Sequence, residues 1–491
     1  MSNQIREALI GAASVVESPA MSHALPRQAA TAFQARRRRL AAALHGVPAL
    51  LFAGASRARN YAANLFAFRP DSHFLYGCGA WLEHAVLLID RGEDTLFLPP
   101  ADPGDVIWHG EMPSWADIQA ATGVDWVRPL ADLPSVLDEL GRSKVASLPA
   151  IDPVTRYQQG VLLDRAWALP GSAVELGTLD ALLADAMIAL RLVHDEAALE
   201  CMRGAAEGTV AAHRAGMAAT RPGLHESDVR AAMEAALQQR DMGCSYGSIV
   251  TIHGEVLHAH GYANPLHAGD LLLADVGAEH QGWAGDVTRT WPVSGKFSPT
   301  QKAMYELVLA MQRTAIAGVK PGVRYRDLHL AAARARARGL VDEGILHGDV
   351  DNLVERGATG LFFPHGLGHL LGLDVHDMED LGDRAGYAPG RTRSQQFGLC
   401  YLRLDRDLVP GMAVTIEPGF YQIPAVLAPG AELVSPFELD GTLDRSKLRR
   451  FRDVRGIRIE DDVLVTDEGH EVLTAALGKS VDEVEAMVGA A

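Results

Sequence analysis

Carboxylate side chains within strongly apolar segments constrain this sequence more than any other feature. Asp275 lies in LLLADVGAE, Asp286 in GWAGDVTRT, Glu417 in VTIEPGF and Glu460 in GIRIEDDV. A carboxylate in a buried strand is costly unless it is paired or bound to a metal. Four of them in one domain would also repel one another. Two divalent cations would neutralise that charge, so the sequence predicts a buried, acid-rich metal site.

Histidines add nitrogen ligands to this picture. The segment FFPHGLGHLLGLDVHD contributes His365, His369 and His376, within a chain that holds 19 histidines. Oxygen and imidazole ligands together suit divalent transition metals. Gly366 and Gly368 separate the first two histidines, so these need not share a helical face.

Each of these residues also has an ordinary structural explanation. A single Asp often ends a strand, and a lone His is often a hydrogen-bonded structural residue. Glu417 precedes a Pro-Gly pair and could start a turn, while Glu460 has two aspartates after it and could belong to a solvated edge. These explanations hold for single residues. They are weak together, because all the positions fall in glycine-punctuated apolar segments.

Composition excludes several functional classes. The 45 Lys and Arg residues against 62 Asp and Glu residues give a net charge of −17, which argues against broad nucleic-acid binding. No apolar run reaches about 18 residues, so no membrane-spanning helix is expected. The N-terminus has no basic region before an apolar stretch and predicts no signal peptide. Four widely spaced cysteines without a CxxC motif favour the cytoplasm.

The pattern of short segments predicts an N-terminal arm over 1–30, an α/β domain over 31–180 and a second domain over 181–491. In the first domain, apolar runs bounded by Gly, Asp or Pro predict strands within 47–54, 84–90, 94–100 and 143–149. Arg36 to Arg39 are expected at an exposed helix end. The second domain is predicted to begin with a long helical connector over 180–219, and its later strands lie within 248–252, 270–278, 286–293, 412–419 and 456–466.

Five segments, in order, resemble those of the pita-bread metallopeptidases, the family of methionine aminopeptidase, aminopeptidase P and prolidase. They are LLLADVGAE, AGDVTRTWPVSG, PHGLGHLLGLDVHD, VTIEPGFY and GIRIEDDVLVT, and the resemblance covers about 185–470. FRPDSHFLYGCG (68–79) is also similar to the N-terminal domain of the aminopeptidase P and prolidase branch, which methionine aminopeptidases lack. The resemblance implies a creatinase-like α/β domain followed by an α+β pita-bread catalytic domain.

The resemblance implies a dinuclear metal site. Asp275 would chelate one ion, Asp286 and Glu460 would bridge both, and His369 and Glu417 would complete the shell of the second. A water bridging the ions would be the nucleophile, and Glu417 the general base that later protonates the leaving nitrogen. The oxygen-rich ligand set favours Mn²⁺, although Co²⁺, Zn²⁺ or Fe²⁺ would fit the same atoms.

Further residues are implied to contact the substrate. His365 and His376 would line the pocket and steady the oxyanion or the substrate carboxylate. His258, in GEVLHAHGYANP, matches the family's histidine upstream of the first ligand. The lead-in TIHGE is shorter than usual, so His260 is an alternative. Tyr246 looks like a tyrosine near the metal site in prolidases, and its alternative is a core aromatic.

An insertion over 377–410 discriminates within the branch. Arg403, in YLRLDRDL, takes the position of the prolidase arginine that binds the free carboxylate of a dipeptide. Its alternative is a surface ion pair with Asp405 or Asp407. Arg458, two residues before Glu460, is expected to help hold that ligand.

The sequence thus predicts a cytoplasmic Xaa-Pro dipeptidase that acts on small proline-containing peptides and binds neither nucleic acid nor membrane. The resemblance also implies a homodimer. The nearest alternative is aminopeptidase P, which removes the residue before proline from longer peptides. Two other classes remain open, a non-catalytic pita-bread binding module and a metal-free creatinase-like C–N hydrolase.

Overall fold

The computed structural model describes residues 24–101, 104–167 and 176–489, and the chain divides into two compact units, Met1–Ala186 and Met187–Ala491. Most of the arm predicted over 1–30 lies outside the described residues. Each unit has its own hydrophobic core.

A five-stranded mixed sheet forms the centre of the first unit. Its elements are α1 (Ala30–Ala43), β1 (Ala49–Phe52), α2 (Ser72–Cys78), β2 (Val86–Asp90), β3 (Glu93–Leu98), α3 (Asp105–His109), α4 (Trp115–Thr122), β4 (Trp126–Pro129), α5 (Leu133–Leu140), β5 (Ala146–Ser147) and α6 (Pro153–Leu163). The strand order is β4-β3-β2-β1-β5, with antiparallel central pairs and parallel outer pairs. The strands predicted from apolar runs in this region are confirmed.

The expectation that Arg36 to Arg39 form an exposed helix end is wrong for its first half. Arg36 and Arg37 are each 1% exposed. Arg37 donates from Nε to Asp94 Oδ2 at 2.5 Å and from Nη1 to the carbonyl oxygens of Gly77 and Thr122 at 2.8 and 3.0 Å. These partners lie far away in sequence, so the charge run alone does not indicate them.

The second unit combines helices with small antiparallel sheets. Helix α7 (Thr178–Arg191) spans the boundary between the units, and α8 (Glu196–Ala219), α9 (Glu226–Gln238), α10 (Pro299–Ala317), α11 (Tyr325–Asp342), α12 (Val350–Glu355), α13 (Asp383–Gly386), α14 (Pro424–Leu427), α15 (Ser435–Leu439), α16 (Arg445–Leu448) and α17 (Val481–Met487) follow. The connector predicted over 180–219 is therefore two helices. They are separate because Asp195 is extended and caps α8, accepting a hydrogen bond from Ala198 N at 3.0 Å.

The strands of the second unit are β6 (Gly243–Cys244), β7 (Ile249–Thr251), β8 (Leu271–Asp275), β9 (Ala278–His280), β10 (Trp283–Ala284), β11 (Thr288–Pro292), β12 (Ala413–Ile416), β13 (Gly419–Tyr421), β14 (Gly456–Arg458), β15 (Asp461–Val465) and β16 (His470–Val472). They form sheets ordered β10-β9-β6, β11-β8-β7, β12-β15-β16 and β13-β14. Among the described helices, none has the length and apolar character that crossing a membrane requires.

The strand predicted over 456–466 is interrupted at its acidic residue. β14 pairs with β13, whereas β15 pairs with β12. Between them, Ile459 N donates to Pro418 O at 3.3 Å and Glu460 N donates to Thr288 O at 3.0 Å. The change of partner strand places Glu460 next to the start of β11.

Candidate metal centre and substrate pocket

Four strand ends bring the predicted acidic ligands together. Asp275 ends β8, Asp286 lies just before β11, Glu417 follows β12, and Glu460 lies between β14 and β15. Antiparallel pairing sets Asp275 opposite Thr288. Ligand atoms of Asp286, His369 and Glu460 all lie within 4.8 Å of one another.

The segment that carries His369 runs along β12. Thr415 N donates to His369 O at 3.0 Å, and Glu417 N donates to Leu367 O at 2.8 Å. His369 Nδ1 lies 2.9 Å from the carbonyl oxygen of Leu370, which can only accept. The proton is therefore on Nδ1, and Nε2 is free to bind a metal. His369 Nε2 lies 3.4 Å from Asp286 Oδ2 and 3.6 Å from Glu417 Oε1.

Gly368 permits this close packing. A Cβ atom at that position would overlap the backbone oxygen of Thr415 and the hydroxyl of Tyr325. Glycine is thus required immediately before His369 on grounds of space.

Tyr246 and Arg458 contact the acids from within the protein. The Tyr246 hydroxyl hydrogen-bonds to Asp275 Oδ1 and, at 2.6 Å, to Asp286 Oδ1. Arg458 Nη2 donates to Asp275 Oδ2 at 2.6 Å, and its Nε donates to Thr288 Oγ1 at 2.8 Å. Thr288 Oγ1 in turn donates to Glu460 Oε2 at 2.7 Å. Arg458 therefore contacts Asp275 directly and reaches Glu460 only through Thr288.

Burial of these acids makes their charged forms costly. Desolvation, with repulsion from Asp275, raises the pKa of Asp286 to about 8. Desolvation also raises the pKa of Glu417 to about 7, against the stabilising charges of His369 and Arg458. The pKa of Glu460 is raised for the same reasons, burial first and neighbouring acids second.

Carboxylate oxygens and one bare imidazole nitrogen are suitable donors for a divalent ion such as Mn²⁺. The residues present therefore fit a divalent metal.

A cavity of about 490 Å³ opens onto these ligands. Its wall includes all five predicted metal ligands and several other predicted site residues, namely His258, His365, His376, Arg403 and Arg458. Tyr246 does not line it and contacts the acids from behind. His258 lies in the wall, whereas His260 does not.

Two of the pocket histidines have defined partners. His365 Nδ1 lies 2.9 Å from Gly366 O and 3.6 Å from Glu417 Oε2, and its Nε2 lies 2.8 Å from the Tyr421 hydroxyl. His376 stacks edge-on against His369, with ring centroids 4.2 Å apart. Burial lowers the pKa of both His365 and His376, the latter to about 3. Both rings therefore stay neutral at ordinary pH.

Arg403 lies in the pocket wall rather than in either of the surface pairs that were its alternative. Asp405 pairs with Arg324 at 2.5 Å, and Asp407 pairs with Arg391 at 2.8 Å. Arg403 Nη1 instead contacts the carboxylate of Glu379.

Sequence reasoning missed several pocket residues. Arg393, Phe397 and Tyr401 line the cavity, and all three fall within the insertion over 377–410, in which the sequence indicated only Arg403. Tyr421, the partner of His365, lies in the VTIEPGFY segment. Glu379 carried no signal, because its role depends on a partner 24 positions away.

Comparison with known proteins identifies the family of this chain. Residues 200–467 match the profile of metallopeptidase family M24. The chain belongs to metallopeptidase family M24. Residues 33–147 match the aminopeptidase P N-terminal domain. The predicted fold, a creatinase-like N-terminal domain and a pita-bread catalytic domain, is confirmed, and so is the expectation of a metal-dependent peptidase.

Curated relatives are similar to this chain over most of their length. The human Xaa-Pro dipeptidase is 34% identical over 431 residues, covering 85% of this chain and 84% of the human protein. A probable Xaa-Pro aminopeptidase, pepP, of Talaromyces marneffei is 35% identical over 433 residues, covering 86% and 88%.

Solved structures agree with this membership. The aminopeptidase PepP of Pseudomonas aeruginosa is 32% identical with a TM-score of 0.77, covering 94% of this chain and 98% of that chain. Aminopeptidase P from E. coli with the inhibitor Pro-Leu is 30% identical with a TM-score of 0.75 and the same coverage.

Proposed function

We propose that this M24 enzyme hydrolyses the Xaa-Pro bond of dipeptides. Removal of the residue before proline from longer peptides is the second candidate, favoured by the likeness to aminopeptidase P structures over 94% of the chain. The observation that carries the dipeptidase proposal is the position of Arg403 in the wall of the ligand-lined cavity.

A cation at that place suits a two-residue substrate. The C-terminal carboxylate of a dipeptide is only one residue beyond the scissile bond, and guanidinium binds carboxylate through paired hydrogen bonds. Arg403 lines the cavity and keeps 38% of its side chain exposed, so a ligand can reach it. A longer peptide would instead need that space for its next residue.

We propose that Asp275, Asp286, His369, Glu417 and Glu460 hold two divalent ions, with Mn²⁺ as the native metal. The ions would act as Lewis acids and lower the pKa of water. The support is the donor set, oxygen-rich with one imidazole. Metal analysis of the enzyme isolated from its source cells, without added metal, tests both number and identity. Fewer than two ions, or a metal other than Mn²⁺, would contradict this part of the proposal.

Proton transfer is proposed for Glu417. Its carboxylate lines the cavity with 16% exposure and lies 3.6 Å from His369 Nε2, so it would reach a water held beside the other proposed ligands. It would accept a proton from the attacking water and pass it to the proline nitrogen. His258, neutral and in the same wall, would donate a hydrogen bond to the developing oxyanion. His365 and His376, whose single ring protons face Gly366 O and Glu379, would orient the substrate. Tyr246 would act from behind by holding Asp275 and Asp286.

Peptide length is the decisive experiment. The metal-replete enzyme is assayed on Ala-Pro and on Ala-Pro-Ala, and a higher kcat/KM for Ala-Pro is expected. Arg403→Met should raise KM for Ala-Pro at least tenfold, about 1.4 kcal/mol, with a smaller effect on kcat. Arg338→Met, an exposed helical arginine, is the matched control. Preference for the tripeptide would favour the aminopeptidase P alternative.

We further propose a homodimer in the cytoplasm that binds small proline-containing peptides and no nucleic acid. The cytoplasmic assignment is supported by four cysteines that form no disulfide, of which Cys78 and Cys201 are buried. Light scattering on the purified protein tests the dimer, and a monomeric mass would contradict it. Fractionation of the source cells tests the location.

A further inference from the structure

The Glu379 carboxylate contacts two pocket residues at once. Its Oε2 lies 2.6 Å from His376 Nδ1, and its Oε1 accepts a hydrogen bond from Arg403 Nη1. The side chains of Glu379 and Arg403 are 42% and 38% exposed, so neither is sealed away from solvent. The arginine proposed to bind the substrate carboxylate thus already has a carboxylate partner within the chain.

Two buried residues that precede Glu379 in sequence fix the turn that carries it. Met378 adopts a left-handed conformation, with φ of 58°, and is fully buried. Such a conformation is unfavourable for a non-glycine residue and persists where packing enforces it. Asp377, one residue earlier, forms a buried ion pair with Arg191 at 2.5 Å. Glu379 is therefore held near the pocket by its backbone.

We infer that Glu379 is a specificity-determining residue that competes with the substrate carboxylate for Arg403. This inference rests on the dipeptidase function proposed above. Other acids near Arg403 in sequence are occupied, since Asp405 pairs with Arg324 and Asp383 with Arg393. Among the described residues, Glu379 is the carboxylate that pairs with Arg403. An incoming dipeptide must displace it or tolerate its negative charge.

The competition weakens binding of dipeptides and of the product. Free proline carries the same carboxylate as Ala-Pro, so Glu379 would regain Arg403 as proline leaves. A peptide whose C-terminus is a neutral amide presents no charge at this place and escapes the competition. Glu379 therefore lowers affinity selectively for ligands with a carboxylate next to the proline ring.

The test compares Ala-Pro with Ala-Pro amide in wild type and Glu379→Gln. Glutamine has the same shape and can still accept from His376, but it carries no charge. The variant should lower KM for Ala-Pro and the inhibition constant of proline about threefold to tenfold, because a competing charge at a partly exposed ion pair is removed. KM for the amide should change less than about twofold. Glu355→Gln, an exposed helical carboxylate, is the control.

The double variant with Arg403→Met separates the possible causes. If Glu379 acts through Arg403, the gain in Ala-Pro affinity disappears in the Arg403→Met background. An unchanged or raised KM for Ala-Pro in Glu379→Gln overturns the inference. So does an equal fall in kcat for both substrates without a KM change, which would mean that Glu379 acts only through His376.

Failure of the underlying function gives a different pattern. If wild type prefers Ala-Pro-Ala and Arg403→Met leaves KM for Ala-Pro unchanged, the dipeptidase proposal fails, and this inference fails with it. If Arg403→Met raises that KM and Glu379→Gln does not lower it, only the role of Glu379 is rejected.

Discussion

Arg458 donates a hydrogen bond to Asp275 at 2.6 Å, joining two residues 183 positions apart in sequence. The side chain of Arg458 is 5% exposed. Its buried guanidinium faces the proposed acidic ligands. Its positive charge lowers the pKa of Glu417, against the larger upward effect of burial. Without a metal, Arg458 is thus a principal source of positive charge for these acids.

Replacing Arg458 should make stability depend more strongly on metal. Arg458→Gln leaves Asp275 without its cation, and removing one member of a buried pair costs about 3–5 kcal/mol. Divalent ions would restore positive charge. The rise in unfolding temperature on adding Mn²⁺ to chelator-treated protein should therefore be larger for the variant than for wild type.

Arg449→Gln, at an exposed arginine, serves as the control for this measurement. Thermal scans with and without Mn²⁺ on all three proteins give the comparison. An equal metal-induced shift in Arg458→Gln and wild type would show that Arg458 does not share the role of counter-charge with the metal.

A second prediction contrasts a buried ion pair with a surface one. Arg191 and Asp377 are each 2% exposed in their side chains, and Arg191 also contacts Asp374 at 3.0 Å. Arg191→Met should lower the free energy of unfolding by about 3–5 kcal/mol because it leaves a buried acid unpaired. Arg203→Met, whose pair with Glu471 is about 40% exposed, should cost at most about 1 kcal/mol. Urea denaturation measures both, and equal costs would contradict the expectation.

A third prediction concerns acid stability through His213. Its Nε2 lies 3.1 Å from Val276 O and 3.0 Å from Val287 O, so it ties together the residues that follow Asp275 and Asp286. Burial lowers its pKa to about 4, whereas the unfolded value is about 6.5. The unfolded chain therefore binds more protons between these values, and stability is lost as the pH falls through that window.

The loss attributable to His213 approaches about 3 kcal/mol once the pH is below 4. His213→Gln removes the titrating group, so its stability relative to wild type should improve as the pH falls from 7 to 4. Urea midpoints at several pH values measure this difference, with the exposed His225→Gln as control. Parallel curves for His213→Gln and wild type would contradict the assignment.

Local patterns were sufficient to single out the acids that the structure brings together around one cavity. Asp275, Asp286, Glu417 and Glu460 each stand in a short apolar segment whose strand character the structure reproduces within a few residues. An acid inside such a segment needs compensation wherever the segment packs, so this need follows from the segment alone. The interruption at Glu460 was not predictable in this way, because it arises from a change of partner strand.

Side-chain partnerships across the fold were the part that sequence could not supply. Arg37 with Asp94, Arg458 with Asp275 and Arg403 with Glu379 join residues separated by 57, 183 and 24 positions. A guanidinium has several equally good acidic partners in an acidic chain. Only the packed backbone determines which of them lies within reach.

The last prediction tests the glycine that precedes His369. Thr415, whose oxygen would meet a Cβ at position 368, is held in β12 opposite Asp462 and also donates to His369 O. In Gly368→Ala we therefore expect the His369 segment to move rather than β12, which is held by its pairing with β15. Displacement of the His369 imidazole nitrogen should lower Mn²⁺ affinity at least tenfold, about 1.4 kcal/mol, and overpacking should cost about 1–3 kcal/mol of stability.

Calorimetric titration of Gly368→Ala with Mn²⁺ measures the change in affinity, and urea denaturation measures the change in stability. Gly469→Ala, where an added Cβ meets nothing within 4 Å, is the control. Unchanged Mn²⁺ affinity in Gly368→Ala would mean that the position of His369 does not depend on this close contact.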